Sequence, residues 1–334
     1  MNKVNIKVLA QKLQLSVSTI SKALRDSHEI SEETKKKVLE LAHLLNYVPN
    51  PYASSLRRKK SKTIAVVLPE VADNFFSLAI NGIQSVAETK GYHVLIYLSH
   101  EKFINEKNIL QDFQSGRVDG VLISISSETN TADHIMNLQA QDVPVVFFDR
   151  EHENIQAARV TTNDFECGRL AARHLLERGC QRPAFLSISK SLAICRNRME
   201  GFITALREAG ISKKDIQVLY CMESNMHAQV EHFLQQPNRP DGLIASVEKI
   251  VTPVYLACYE LQIRIPHDVK VIAFATLDTA PILDPALTTI TQPAFEIGKA
   301  AASLLFKGIE KQHFDLQNEK LVIPSVLIER ASTR

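Results

Sequence analysis

From Thr63 onward, short apolar runs alternate with segments of helical periodicity, and that alternation leaves few architectures open to the chain. The runs "TIAVVLP", "YHVLIYLS", "VDGVLISI" and "VPVVFFD" are interleaved with patterns such as "FFSLAINGIQSVAETKG". After Asp164 the rhythm continues through "FECGRLAARHLLERG", "RPAFLSIS", "RNRMEGFITALREAG", "IQVLYC", "DGLIAS" and "VKVIAFA". A strand that is apolar throughout must be covered on both faces. Crossover helices do this, so βαβ units and parallel sheets follow. The strands are too many for one small sheet. Two doubly wound α/β lobes accommodate them, with a ligand cleft at the carboxyl ends of the strands.

The first sixty residues read differently. Ile6, Leu9, Ala10 and Leu13 fall on one face of a helix. Ser16 caps a second helix running to about Leu24, with Ile20, Ala23 and Leu24 facing inward. Ser31, followed by Glu32 and Glu33, caps a third, whose positive N-terminal end favours those acids; Val38, Leu41, Ala42 and Leu45 repeat at helical spacing, and Pro49 and Pro51 end it. Three short helices so closely spaced form a helix-turn-helix unit, whose second helix can enter the major groove of DNA. With Ile20 and Leu24 committed to the core, Val17, Ser18, Ser21 and Lys22 are left outward. Val17 suits a thymine methyl, Ser18 can donate or accept, and Lys22 can reach guanine acceptors or a phosphate.

Charge supports the division. Residues 1 to 62 hold 13 Lys/Arg against 5 Asp/Glu, a net of +8, which leaves −6 on the other 272 residues of a chain whose total is +2. A basic segment on an acidic body is the footprint of a protein that meets polyphosphate at one end. The apolar runs fall far short of the roughly 18 residues that span a membrane. The N-terminus has neither the apolar core nor the cleavage site of a secretory signal, so a cytoplasmic location and no membrane partner are expected. Cys167, Cys180, Cys195, Cys221 and Cys258 have no paired spacing and read as buried thiols. No metal site, no cofactor and no catalysis are expected: phosphate-loop, dinucleotide, nucleophile-elbow and H-E-x-x-H motifs are missing, and His93, His174 and His232 stand singly.

The segment from "VNIKVLAQKL" to "SKTIAVVLPE" resembles the head and hinge of the lactose-repressor (LacI/GalR) family, through "SVSTIS" in the recognition helix and "YVPNPYASSLR" in the hinge. The resemblance extends along the chain: "RVDGVLIS", "PVVFFDR", "GRLAARHLLERG", "RNRMEGFITALREAG", "PALTTITQP" and "EIGKAAASLLF" occur in family order. It implies a DNA-binding domain over 1–48, a hinge helix and linker over 49–62, and a core over 63–334 like that of periplasmic sugar-binding proteins. The core's first lobe would take about 63–160 and 293–320, its second about 161–292 and 321–334. Together with the helix pattern, it marks Ser16, Val17, Ser18, Thr19, Ser21 and Lys22 for DNA. In the hinge it marks Asn50, Ala53 and Leu56, with Leu56 as a wedge in the minor groove, and Arg57 beside the backbone.

For the cleft, the resemblance marks Arg198 as the main effector anchor, a planar five-donor fork suited to hydroxyls or a carboxylate. Phe75 and Phe76 match an aromatic pair that lines the pocket and suit core packing equally well; Arg150 and Glu166 are further polar candidates. Three departures stand out. The family's "NPFF" is Asp73, Asn74, Phe75 and Phe76 here; its "AND" is Ser246, Val247 and Glu248; its "GFDD" is Ala273, Phe274, Ala275 and Thr276. Val247 and Ala275 therefore stand where an asparagine and an aspartate commonly hold sugar hydroxyls, which weakens the usual sugar mode. The effector is unusual, more apolar, or lost altogether.

The reading is a sequence-specific, DNA-binding transcription repressor, with activation left open, acting as a homodimer on a pseudo-palindromic double-stranded operator and modulated by a small molecule. The alternative, a solute-binding protein of the same core fold, would require export. Arg198→Ala is expected to fold and bind operator like the wild type while losing its response to the effector.

Overall fold

The computed structural model describes residues 5–47, 60–310, 316 and 318–334. The N-terminal unit is three helices: α1 (Ile6–Leu13), α2 (Val17–Ala23) and α3 (Glu32–Leu44). Each starts where a short polar side chain accepts from backbone N–H groups that have no partner within the helix. Asn5 Oδ1 takes the N–H of Lys7 and Val8, Ser16 Oγ that of Thr19 at 3.0 Å, and Ser31 Oγ that of Thr34 at 3.4 Å. Leu9, Ala10, Ile20, Ala23, Val38 and Ala42 are buried together where the helices meet, on the faces that the periodicity assigns inward. Leu24, expected inside, is the C-cap of α2 and only partly buried.

Residues 62–334 form the second unit, built on two six-stranded sheets. The first lobe runs β1 (Thr63–Leu68), α4 (Asn74–Thr89), β2 (His93–Leu98), α5 (Phe103–Phe113), β3 (Val121–Ile123), α6 (Asp133–Gln139), β4 (Val145–Phe148) and β5 (Ala158–Thr161). The chain then crosses to the second lobe through α7 (Asp164–Glu177), β6 (Pro183–Ser187), α8 (Ala193–Glu208), β7 (Gln217–Tyr220), α9 (Met226–Leu234), β8 (Gly242–Ala245), α10 (Val251–Glu260), β9 (Lys270–Phe274) and β10 (Thr288–Thr291). It returns as α11 (Ala294–Glu310) and β11 (Lys320–Val322), and crosses once more into β12 (Val326–Ile328).

The sheet orders are β11-β5-β4-β3-β1-β2 and β12-β10-β9-β8-β6-β7. Pairing is parallel throughout except for β12, antiparallel to β10. Central β1 is buried along its whole length whereas edge strand β2 is partly exposed, as helices on both faces of a doubly wound sheet require. Because β11 pairs with β5, the last crossing falls after Val322, slightly later than the resemblance places it. The five cysteines are free and buried, as read from their spacing.

Each lobe contains one helix pair in backbone contact. A Cβ on Gly168 of α7 would lie 1.9 Å from the Arg198 carbonyl oxygen, and one on Gly201 of α8 would lie 2.0 Å from that of Phe165. In the first lobe, Gly82 of α4 and Gly298 of α11 repeat this at 2.1 and 2.0 Å. Only glycine lets two helices approach so closely.

Candidate functional site

In the N-terminal unit, α2 and its cap expose Ser16, Val17 and Ser18, with Val17 42% exposed, while Thr19, Ser21 and Lys22 are half-buried. Ser16 spends its hydroxyl on the cap and on Thr19 Oγ1, 2.8 Å away. Lys22 is not free, since its ammonium pairs with Glu29. Both side chains are solvated, and a surface pair of this kind contributes at most about 1 kcal/mol, so a phosphate can displace the glutamate. Arg25, absent from the sequence reading, is exposed just past α2 with its Nε donating to the Ser21 carbonyl, which leaves its terminal nitrogens outward. Its signal was available: it lies two residues past the end of the recognition helix. Asn50, Ala53, Leu56 and Arg57 lie outside the described residues.

In the second unit, the carboxyl ends of the parallel strands meet at a cleft, the position such sheets reserve for ligands. Behind β1, Asp73 caps α4 by accepting the Phe75 N–H at 3.1 Å, and Phe75 and Phe76 form its first turn. Asp149 and Arg150 follow β4, Ile194 and Arg198 sit on α8, Val247 and Glu248 follow β8, Phe274 to Thr276 end β9, and Gln292 follows β10. These side chains leave a cavity of about 20 Å³, room for roughly one water. As the lobes stand, that space is too small for a sugar-sized guest.

Arg198 is 1% exposed. Its Nε donates to Asp164 Oδ1 at 2.7 Å and its Nη1 to the Ser246 carbonyl at 2.6 Å, while the guanidinium stacks 4.2 Å from the centre of the Phe274 ring. Its Nη2 is buried without a hydrogen-bond partner. Arg150 donates through Nη1 to both oxygens of Glu101, at 2.9 and 3.0 Å, and its Nε lies 3.8 Å from Asp149 Oδ2. Burial disfavours both charges, yet the adjoining carboxylates outweigh it and raise both arginines further. The acids fare differently. Burial pushes Asp149 up to about 6 despite Arg150 and Arg198. Burial also raises Asp73, and raises Glu248 with help from the nearby Asp73 charge.

Glu248 bridges the lobes. Its carboxylate accepts the N–H of Asn74 in the first lobe at 3.4 Å and that of Thr276 in the second at 2.8 Å, and Asn74 Nδ2 donates to the Thr276 carbonyl. Arg196 with Glu153, and Lys249 with Glu70 at 3.7 Å, cross the same divide.

Two family models match the chain. "Bacterial regulatory proteins, lacI family" covers residues 5–50, and "Periplasmic binding proteins and sugar binding domain of LacI family" covers 61–331. The chain belongs to the LacI family. As a LacI-family protein it is a DNA-binding transcription regulator and not an enzyme. A ribose operon repressor of Halalkalibacterium halodurans is 29% identical over 98% of this chain and 97% of its own length. The Escherichia coli K12 repressor CytR is 27% identical over 98% and 96%. A LacI family regulator from Enterococcus faecium, solved with bound ribose, superposes with a TM-score of 0.73 at 27% identity, over 81% of this chain and 98% of that one. The lac repressor dimer bound to operator gives 0.85 at 22% identity over 99% of both, a likeness of fold. No described helix is long and apolar enough to cross a membrane.

Of the residues that the LacI resemblance marks, the structure gathers Asp73, Phe75, Phe76, Arg150, Arg198, Val247 and Ala275 around the cleft. Phe75 and Phe76 serve both readings: they line the cleft and are 5% and 2% exposed in the first lobe's core, in edge contact with each other at 5.4 Å. Glu166 is misplaced. It points to solvent from α7, because two helical residues turn about 200° and Asp164 takes the inward direction. Sequence reading missed Asp149, Asp164, Glu248 as a contact, and Gln292. Asp149 had a signal, a carboxylate directly after a strand of four buried residues. Gln292 had none beyond its strand end. The expectation that Arg198→Ala folds like the wild type meets an obstacle in Asp164, which would be left as a buried carboxylate without its partner. Away from the cleft, His227 and Glu231 of α9 and Glu260 of α10 bring ligand atoms within 4.8 Å of one another, partly exposed.

Proposed function

We propose that this chain is a cytoplasmic repressor that binds a pseudo-palindromic operator as a homodimer and releases or grips it according to a small molecule held between the core lobes. The observation that carries this is the head itself: a capped α2 presenting Ser16, Val17 and Ser18 on a chain that matches the family in both units. One such helix reads only a few base pairs, so two heads related by a two-fold axis are needed for a unique site, and symmetric sites follow. The head argues against a solute-binding protein.

The ribose-bound regulator and the ribose operon repressor support a polar metabolite as effector. The cleft argues for a different contact set, since Val247 and Ala275 offer no hydrogen bond from their side chains. Arg198, Arg150, Asp149, Asp73, Glu248, Thr276 and Gln292 are the polar groups that remain to hold it. Linkage then sets the response, because an effector moves the operator-competent population only through differential affinity for two conformations.

Selection of double-stranded DNA from a random pool by the full-length protein, followed by sequencing, tests the reading. Inverted half-sites and a dimer by light scattering are the expected results. Asymmetric sites, or a monomer at micromolar concentration, would overturn it.

A further inference from the structure

The cleft holds more acid than base. Asp73, Asp149 and Glu248 line it, and Glu101 and Asp164 stand directly behind the two arginines. Against five carboxylates there are two guanidiniums, each committed to a carboxylate behind the wall: Arg150 to Glu101 and Arg198 to Asp164. Lys249, the nearby ammonium, is paired to Glu223 at 3.0 Å and to Glu70 at 3.7 Å. Of the three lining acids only Asp149 has a cation beside it, Arg150 Nε at 3.8 Å, and that guanidinium is shared with Glu101; Asp73 and Glu248 have no ion pair among the described residues, in a site where Asp149 is 7% exposed and water screens poorly. Glu248 is partly satisfied by two backbone N–H groups and Asp73 by one; Asp149 receives one long bond from Gln292 Nε2, at 3.3 Å. Further hydrogen-bonding capacity lines the cleft in Arg198 Nη2 and the Thr276 hydroxyl, both buried and without a hydrogen-bond partner.

We propose that the effector is a small hydroxylated amine, bound as a cation with its ammonium against Asp149 and Asp73 and a hydroxyl on Arg198 Nη2. This deepens the effector reading and rests on it. A neutral sugar would leave the carboxylate surplus buried and uncompensated, and an anionic ligand would add to it. An ammonium supplies three donors and one positive charge to groups that otherwise can only take up protons. Burial is the main cause that raises Asp73, Asp149 and Glu248, and neighbouring acids add to it at Asp149 and Glu248.

Equilibrium dialysis of the full-length protein against two matched mixtures tests this: D-glucosamine with D-glucose and D-glucuronate, and ethanolamine with ethylene glycol and glycolate, at millimolar concentrations. In at least one mixture the amine should be retained about tenfold or more over its neutral and acidic counterparts. Its retention should decline as pH falls through about 6, where Asp149, faced by Arg150, Arg198, Asp164 and Asp73, takes up a proton. Asp149→Asn and, separately, Glu248→Gln should narrow the preference, with thermal melts confirming that each variant is folded. Retention of the neutral or acidic member as well as the amine overturns the proposal and leaves the effector reading standing. Retention of no member, from a wild type that melts cooperatively and selects symmetric operators, overturns the proposal and leaves the effector reading standing.

Discussion

Arg198 Nε and Asp164 Oδ1 lie 2.7 Å apart, on two helices that touch backbone to backbone within the same lobe. The arginine that lines the cleft thus also neutralises an acid 6% exposed. Breaking such a pair from one side typically costs about 3 to 5 kcal/mol. Arg198→Ala should lower the chemical-denaturation stability of the core by that amount, and Arg198→Ala with Asp164→Ala should recover part of it. An unchanged midpoint in the single variant would show that the pair bears no structural load.

Stability should respond to pH through Asp149. Its carboxyl titrates near 4 in an unfolded chain and at about 6 in the fold. Between those values the folded protein holds a proton that the unfolded chain does not, so this group's stabilising contribution is present at low pH and is lost as pH rises through 6. Asp149→Asn removes that loss. At neutral pH the variant should be more stable than the wild type by up to about 3 kcal/mol, and the advantage should vanish near pH 4. Melts across that range decide it.

A minor-groove wedge, the role that the family resemblance implies for Leu56, acts only on a bent, specific complex. Leu56→Ala should weaken operator binding by one to two orders of magnitude, roughly the loss of one apolar side chain from a buried site, while leaving salt-dependent binding to random DNA nearly intact. Equal losses on both DNAs in a titration would remove the wedge assignment.

Gly201→Ala places a methyl 2.0 Å from the Phe165 carbonyl oxygen. The helices must separate, at a cost of about 3 kcal/mol, and Arg198, one turn earlier on α8, moves with them. Gly298→Ala, equally crowded by Ala79 in the other lobe, should cost as much, and it shifts α4, whose Phe75 and Phe76 line the cleft, in place of Arg198. Melts of the two variants check both costs.

Much of the fold is legible in the order of residues alone. The runs "TIAVVLP" and "VPVVFFD" declare buried parallel strands because nothing else tolerates apolar residues on both faces, and Ser16 announces α2 because an uncapped helix start is costly. Arg198, Arg150 and the phenylalanine pair follow from the family pattern. Glu248 shows the limit: its departure from that pattern is visible, but its bonds to Asn74 and Thr276 join residues 174 and 28 positions away, and no local periodicity encodes them. Asp164 and Glu166 differ by two positions and by opposite sides of α7, so the choice between them depends on where that helix begins.

The lobes are joined by three strands of chain, following β5, β10 and β11. Asn163 in the first accepts the Ser325 N–H in the third at 2.9 Å, and Gln292 in the second donates to Asp149. A single tether would let one lobe swivel in any direction. Three laid side by side behave like a door hinge, free about one axis and stiff about the others, and the glycine-locked helix pairs keep each leaf from bending. An opening or closing of the cleft is therefore expected to run about a single axis, the line of the three tethers.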